Sequence, residues 1–275
     1  ALVSGVARYH AGDAVMAIET LGPVLDRLPE GSLELREAVQ VLGLSYVLAG
    51  RLAEAIPLLE RTRVWAADNL ELGQILGTAY IQTQQPAKAR ACFAQVFGVP
   101  AESAAAHLLA AQMMLRVEQE GLAEAELKEA LAKDPRLPQA HFLLGQIALF
   151  RGRLDEAIEL TRKEIALSPG NGMAWSQLGD AHVRRQAWDE AAAALQRSIW
   201  VNPYYSAPYI LLGRVYMKTR QPGTAEGMLR RAIEYDPNNK AAHYLLGQAL
   251  QQLGRTEEAQ RELETAARLQ GQPGR

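Results

Sequence analysis

The sequence has almost no sulfur chemistry, since Cys92 is its only cysteine. One thiol excludes an internal disulfide and any cysteine-rich metal site. Its setting among apolar residues in a helical stretch assigns it to packing. A strong charge of one sign is also missing: 29 basic against 31 acidic side chains leave a net charge of −2. No global field therefore draws the chain onto nucleic acid or an anionic membrane. No apolar run approaches the ~20 residues that cross a bilayer. The best candidate, residues 140–150, is interrupted by His141, Gly145 and Gln146, so direct membrane insertion is not expected. No signal peptide is visible. The chain opens at Ala1 in what reads as mid-helix, so a fragment of a longer protein is expected, and the compartment stays open between cytoplasm and a bacterial periplasm.

Catalytic signatures are absent as well. There is no G-x-x-x-x-G-K-[ST] loop, no H-E-x-x-H, and no G-x-G-x-x-G following a strand. No serine or cysteine is recognisably paired with a base. The expectation is a protein that is not an enzyme and holds no cofactor and no metal.

What is present is a beat. Alanine stands at residues 55, 89, 123, 157, 191, 225 and 259, every 34 residues. Glycine follows the same period at 43, 77, 145, 179, 213 and 247, with Ala111 in the one gap. A period of this size marks a solenoid of helical hairpins. Within Gln139 to Asn171, Phe142, Leu143, Leu144, Ile147, Ala148 and Leu149 follow a helical spacing. Gly152 ends that helix, and Asp155 and Glu156 open a second one, where carboxylates complement the exposed N–H groups. Ser168-Pro169-Gly170-Asn171 closes it with turn residues. The small residues let two antiparallel helices approach, and Pro135, Pro169, Pro203 and Pro237 stop the second helices.

The pattern of aromatic, Leu-Gly, aromatic, Ala, large apolar, Ala and Pro then recurs in register. It reads Trp175, Leu178, Gly179, Ala191, Leu195 and Pro203, then Tyr209, Leu212, Gly213, Tyr216, Ala225, Leu229, Ala232 and Pro237. This resembles the tetratricopeptide repeat family over nearly the whole chain. The fold expected is all-α: a right-handed α-solenoid of stacked antiparallel helix hairpins, forming one array over 1–275. A truncated first repeat occupies 1–31. Full repeats occupy 36–69, 70–103, 104–137, 138–171, 172–205, 206–239 and 240–273.

Some positions break the beat. Ala17 lies 38 residues before Ala55, which predicts a four-residue insertion near Glu30 to Leu33, read as a longer turn. Gly121 falls inside an expected second helix, and the polar stretch Arg116 to Glu120 predicts a distorted or lengthened connection. Pro57 is placed within the first turn or so of its helix, where the lost hydrogen bond costs little. The last helix, Thr256 to Gln270, carries Leu263, Ala266, Ala267 and Leu269, and no further helix is expected after residue 270. Its open apolar face predicts self-association or a removed downstream helix.

Three of the five histidines, His107, His141 and His243, share the repeat position held elsewhere by Trp175 and Tyr209. That equivalence points to packing and not to metal ligation. The carboxylate pairs Asp155-Glu156 and Glu257-Glu258 sit at second-helix starts, where dipole complementation accounts for them.

Solenoids commonly bind along their first helices. The helix period aligns three rows there. One is Thr78, Gln112, Gln146, Asp180, Arg214 and Gln248. A turn earlier come Gln74, Leu108, Phe142, Ser176, Ile210 and Tyr244, and a turn later Gln82, Arg116, Phe150, Arg184, Lys218 and Gln252. The candidate peptide-binding residues are Gln112, Phe142, Gln146, Phe150, Asp180, Arg184, Arg214, Lys218, Tyr244 and Gln248. Glutamines suit a peptide backbone, aromatics make anchors, and the basic cluster suits a carboxylate, unless Asp180 already pairs with Arg184 or Arg214. The resemblance also implies a test for a chaperone-tail clamp, which uses lysine and asparagine one turn apart. Here those pairs read Gln40/Leu44, Gln74/Thr78, Leu108/Gln112 and Phe142/Gln146, so such a clamp is not expected.

The function expected is a protein-interaction scaffold binding a peptide segment or partner protein on its concave face. The alternatives are the substrate-recognition arm of a larger enzyme, such as a protein-modifying glycosyltransferase, and an assembly factor of a membrane or secretion complex.

Overall fold

The computed structural model describes residues 1–270, which form sixteen α-helices, one 3-10 helix and no strand. The chain divides into two compact units, Ala1–Leu137 and Pro138–Arg275. Unit 1 holds α1 (Leu2–His10), α2 (Ala14–Leu21), the 3-10 helix (Gly22–Arg27), α3 (Leu33–Leu48), α4 (Leu52–Trp65), α5 (Leu70–Gln82), α6 (Pro86–Phe97), α7 (Ala104–Arg116) and α8 (Glu120–Lys133). Unit 2 holds α9 (Ala140–Phe150), α10 (Leu154–Leu167), α11 (Gly172–Arg184), α12 (Trp188–Val201), α13 (Ser206–Lys218), α14 (Pro222–Tyr235), α15 (Lys240–Gln252) and α16 (Thr256–Gln270). In each unit odd and even helices pair as hairpins, and each hairpin stacks on the next.

Most first helices start the same way. Ser32, Asn69, Ser103, Asn171 and Asn239 each accept a hydrogen bond from the backbone N–H three residues on. Each such cap is worth about 1 kcal/mol. Two starts differ. Tyr205 begins α13 with no side-chain cap. Gln139 precedes α9 at a φ of 71°, and the carboxylate of Glu164 on α10 caps that helix from outside, accepting from the N–H groups of Gln139 (3.0 Å) and Phe142 (3.3 Å).

The seam explains the small-residue ladders. Every alanine of the 34-residue series is fully buried. The glycines make room for the side chain four residues after the alanine. A Cβ on Gly77 would lie 2.5 Å from the Phe93 ring, one on Gly179 2.5 Å from Leu195, and one on Gly213 2.6 Å from Leu229. Leu195 and Leu229 are themselves fully buried and have nowhere to retreat. Gly213→Val should therefore lower stability by about 1–3 kcal/mol through overpacking, read as a shifted midpoint in urea unfolding followed by circular dichroism.

Three expectations about irregularities are corrected. Residues 117–119 join α7 to α8, as short as the 83–85 connection between α5 and α6, so nothing is lengthened near Gly121. The turn needs one residue with positive φ. Gly12, Gly50, Gly152 and Gly254 supply it in four hairpins, but Glu118, Gln84, Gln186 and Arg220 adopt it without being glycine. Gly121 instead sits exposed in the first turn of α8. Pro57 is the sixth residue of α4, not a first-turn residue, and its missing N–H falls in the helix interior. The four extra residues near the N-terminus fall close to where they were expected, but they lengthen a helix more than a turn: α3 has sixteen residues against thirteen in α5, and the 28–32 connection has one more residue than 66–69. α2 stops at Leu21, and Gly22-Pro23 leads into the 3-10 helix, which accepts proline at its start. The expectation that no helix follows residue 270 falls outside the described residues.

The carboxylates at second-helix starts do more than complement dipoles. Asp155 pairs with Arg185 at 2.8 Å, and Arg255 bridges Glu258 (2.6 Å) and Glu226 (2.7 Å). Burial opposes ionisation of Glu226, but the hydrogen bonds from Arg230 and Arg255 outweigh it and hold the carboxyl below its ordinary range.

Candidate functional site

The stacking of first helices is uneven within unit 1. α1 packs on α3 more closely than α3 on α5 or α5 on α7, and α4 and α5 are the loosest consecutive pair of α-helices in that unit. Two adjacent clefts open between α3 and α5. One, of about 460 Å³, is lined by Val47, Leu52, Gln74, Ile75, Thr78 and Gln82. The other, of about 370 Å³, is lined by Tyr9, His10, Gln40, Leu44, Glu71 and Ile75, with Glu37 also at its wall. Ile75 lines both and separates them. Both volumes fall within the ~300–1,000 Å³ typical of ligand pockets.

The chemistry of this face follows from the helix period. Ile75, Val47 and Leu44 supply an apolar floor, and Gln40, Gln74 and Gln82 supply amides carrying donors and acceptors. The hydroxyl of Thr78 donates back to the carbonyl of Gln74 at 2.9 Å. Such a surface offers apolar seats for side chains and polar edges for a backbone. Gln74, Thr78 and Gln82 belong to the three aligned rows, while Tyr9, His10, Val47 and Ile75 do not. Their signal was the separation of α3 from α5, which no local pattern encodes.

Of the ten candidate residues, Gln112 lies in unit 1 on α7 and is half-buried. The other nine lie in unit 2. Phe150 is 75% exposed at the end of α9 and Tyr244 49% exposed on α15. Phe142 is half-buried at the start of α9, and Gln146 is exposed. The basic cluster is divided. Arg184 donates to Asp180 at 3.0 Å and to the carbonyl of Leu149 at 3.1 Å, so its charge is already engaged. Arg214 and Lys218 are exposed, with no ion pair among the described residues. Gln248 donates to the Tyr244 hydroxyl at 3.0 Å.

The histidines of the shared repeat position pack, but through polar contacts. His107 Nδ1 lies 2.6 Å from Glu126, and His243 Nδ1 lies 2.6 Å from Glu262. Both partners are 19 residues on. Glu126 also accepts from Arg90 at 2.9 Å, and Arg90 reaches Glu102 at 2.9 Å. The recurrence of His and Glu at that spacing in two repeats was the sequence signal for these pairs. Among the described residues no three His, Cys, Asp or Glu side chains converge as a metal site, and no helix is long and apolar enough to cross a membrane.

Comparison with curated proteins finds no match. Solved structures with the same architecture include MamA, 25% identical over 58% of this chain and 94% of its own, with a TM-score of 0.53. A structure of PilF from Pseudomonas aeruginosa is 18% identical over 74% of this chain and 93% of its own, at a TM-score of 0.59. YrrB, described as a TPR protein with an unusual peptide-binding site, is 21% identical over 67% of this chain and 93% of its own, at 0.53. Family profiles described as tetratricopeptide repeat match residues 46–113, 114–172 and 216–273, which together are most of the sequence. With the hairpins, the glycine seam and the alanine beat, these matches place the chain in the tetratricopeptide repeat family.

Proposed function

We propose that the protein is an interaction scaffold without catalysis of its own, and that it binds an extended segment of a partner protein across α3 and α5 of unit 1. The observation that carries this reading is the pair of clefts meeting at Ile75. An extended strand places alternate side chains on one face, about 7 Å apart, so successive side chains can enter neighbouring clefts while the glutamines meet its backbone. The description of YrrB as having a peptide-binding site is in keeping with this use of the fold. In unit 2 the same reading gives Phe150 and Tyr244 as apolar contacts, Arg214 and Lys218 as free cations for acidic side chains, and Gln146 and Gln248 as backbone partners. Phe142, Asp180 and Arg184 frame those positions, and Gln112 extends the face in unit 1. The repeats are read as a single functional array, which predicts one partner footprint touching more than two repeats.

Affinity capture followed by mass spectrometry tests the assignment. Thr78→Arg fills the larger cleft from a half-buried surface position, and Arg214→Glu combined with Lys218→Glu reverses the free charge in unit 2. Partners retained by the wild type should be depleted by Thr78→Arg. Partners indifferent to both variants would mean that the first-helix face is not the binding surface.

A further inference from the structure

On the other side of α5 a third cleft, of about 490 Å³, is lined by Glu60, Arg63, Val64, Leu76, Tyr80 and Cys92, with Lys88 and Gln95 at its wall. Two departures from the repeat create it. The position that carries a ring in His107, His141, Trp175, Tyr209 and His243 is Gly73 here. The position that carries Phe97, Leu131, Ile165, Ile199 and Ile233 in the second helices is Arg63. The guanidinium has moved into the space the ring vacates: a Cβ on Gly73 would stand 3.0 Å from Arg63 Nη1.

Arg63 is half-buried there, and its contacts are neutral. Nη1 donates to Cys92 Sγ and Nη2 to Gln95 Oε1 at 2.8 Å. Burial pushes the Cys92 thiol up, so it carries no compensating charge. The nearest carboxylate in the cleft, Glu60, is already committed: it accepts from the Tyr80 hydroxyl and pairs with Lys88 at 3.4 Å. Burial and that bond keep the Tyr80 phenol protonated far above its ordinary value. The lining thus holds two cations against one anion. A guanidinium has five N–H donors, and the bonds to Cys92 and Gln95 use two of those of Arg63, which lines the cleft. A partly desolvated charge without a counter-ion is costly. Beside it lie the buried Leu76, the Tyr80 ring, and Val64, which is 79% exposed at the rim.

We propose that this cleft binds a small apolar carboxylate, with its carboxyl group on Arg63 and its hydrocarbon body along Leu76, Tyr80 and Val64. The site is separate from the peptide face and does not depend on it. Isothermal titration with octanoate, with 1-octanol as the uncharged comparison, tests it. Arg63→Gln keeps hydrogen-bonding capacity without the charge. Arg63→Ile restores the residue type of Ile165, Ile199 and Ile233 and so is compatible with folding. Octanoate should bind the wild type at one saturable site, at least tenfold more tightly than it binds either variant. Octanol should show no preference for the wild type. Failure of octanoate to saturate the wild type, or equal affinity for wild type and Arg63→Gln, would overturn the assignment.

Discussion

Glu126→Ala should cost unit 1 about 3 kcal/mol, the lower end of what removing one member of a buried ion pair costs. The Glu126 side chain is 8% exposed and joins Arg90, 13% exposed, to His107, 4% exposed. Its loss leaves the guanidinium and the ring facing each other across a site closed to water. Glu102 continues to hold Arg90 from the surface at 2.9 Å, which is why the lower end applies. The repeat supplies an internal control. Glu262 makes the same 2.6 Å contact with His243 but is 25% exposed, so Glu262→Ala should cost only about 1 kcal/mol, the value of an ordinary hydrogen bond. Urea unfolding of the two variants compares them directly. Equal losses would mean that burial does not set the strength of this pair.

Glu164→Ala should lower the stability of unit 2 by about 2–3 kcal/mol, as expected for losing hydrogen bonds to a charged acceptor. Glu164 is fully buried, a placement carboxylates rarely adopt. Its counter-charge is the positive end of α9, through the N–H groups of Gln139 and Phe142. A polar layer surrounds it: Gln177 donates to Thr161 at 2.8 Å and to the carbonyl of Phe142 at 3.2 Å. Glu164→Gln keeps an acceptor and should lose about half as much. An aspartate at residue 139 should not rescue Glu164→Ala. The positive φ of Gln139 differs from the extended backbone of the five capped helices, so its side chain does not reach the amides a cap serves. Amide hydrogen exchange along α9 localises the effect: faster exchange in its first turn is expected, with that of α15 unchanged.

The scaffold was legible because its instructions repeat. A 34-residue beat of small residues specifies a close seam in every hairpin, and Gly179 and Gly213 meet Leu195 and Leu229 as such a seam requires. What the beat did not carry were exceptions settled by three-dimensional neighbours. Gly121 looked disruptive because glycine often ends a helix, but Glu118 supplies the left-handed turn residue and the glycine is incidental. Glu164 reads as a surface residue in a linear pattern, and only the start of α9 beside it explains its burial. The clefts at Ile75 and Arg63 were hidden for the same reason. Gln74, Thr78 and Gln82 fell into the aligned rows, but the gap between α3 and α5 did not, and the cleft on the other side of α5 forms where Gly73 replaces a ring and Arg63 replaces an aliphatic side chain. The positions that repeat build the array, and those that depart from it build its clefts.

The proposed binding mode lays a partner segment across α3 and α5. The most direct measurement takes peptides selected from a random displayed library on the wild-type protein. It compares their dissociation constants on wild type, on Thr78→Arg and on the unit 2 double variant Arg214→Glu/Lys218→Glu. The selected peptides should lose at least tenfold in affinity, about 1.4 kcal/mol, on Thr78→Arg, with the melting temperature unchanged. Peptides that bind Thr78→Arg as tightly as the wild type would contradict it.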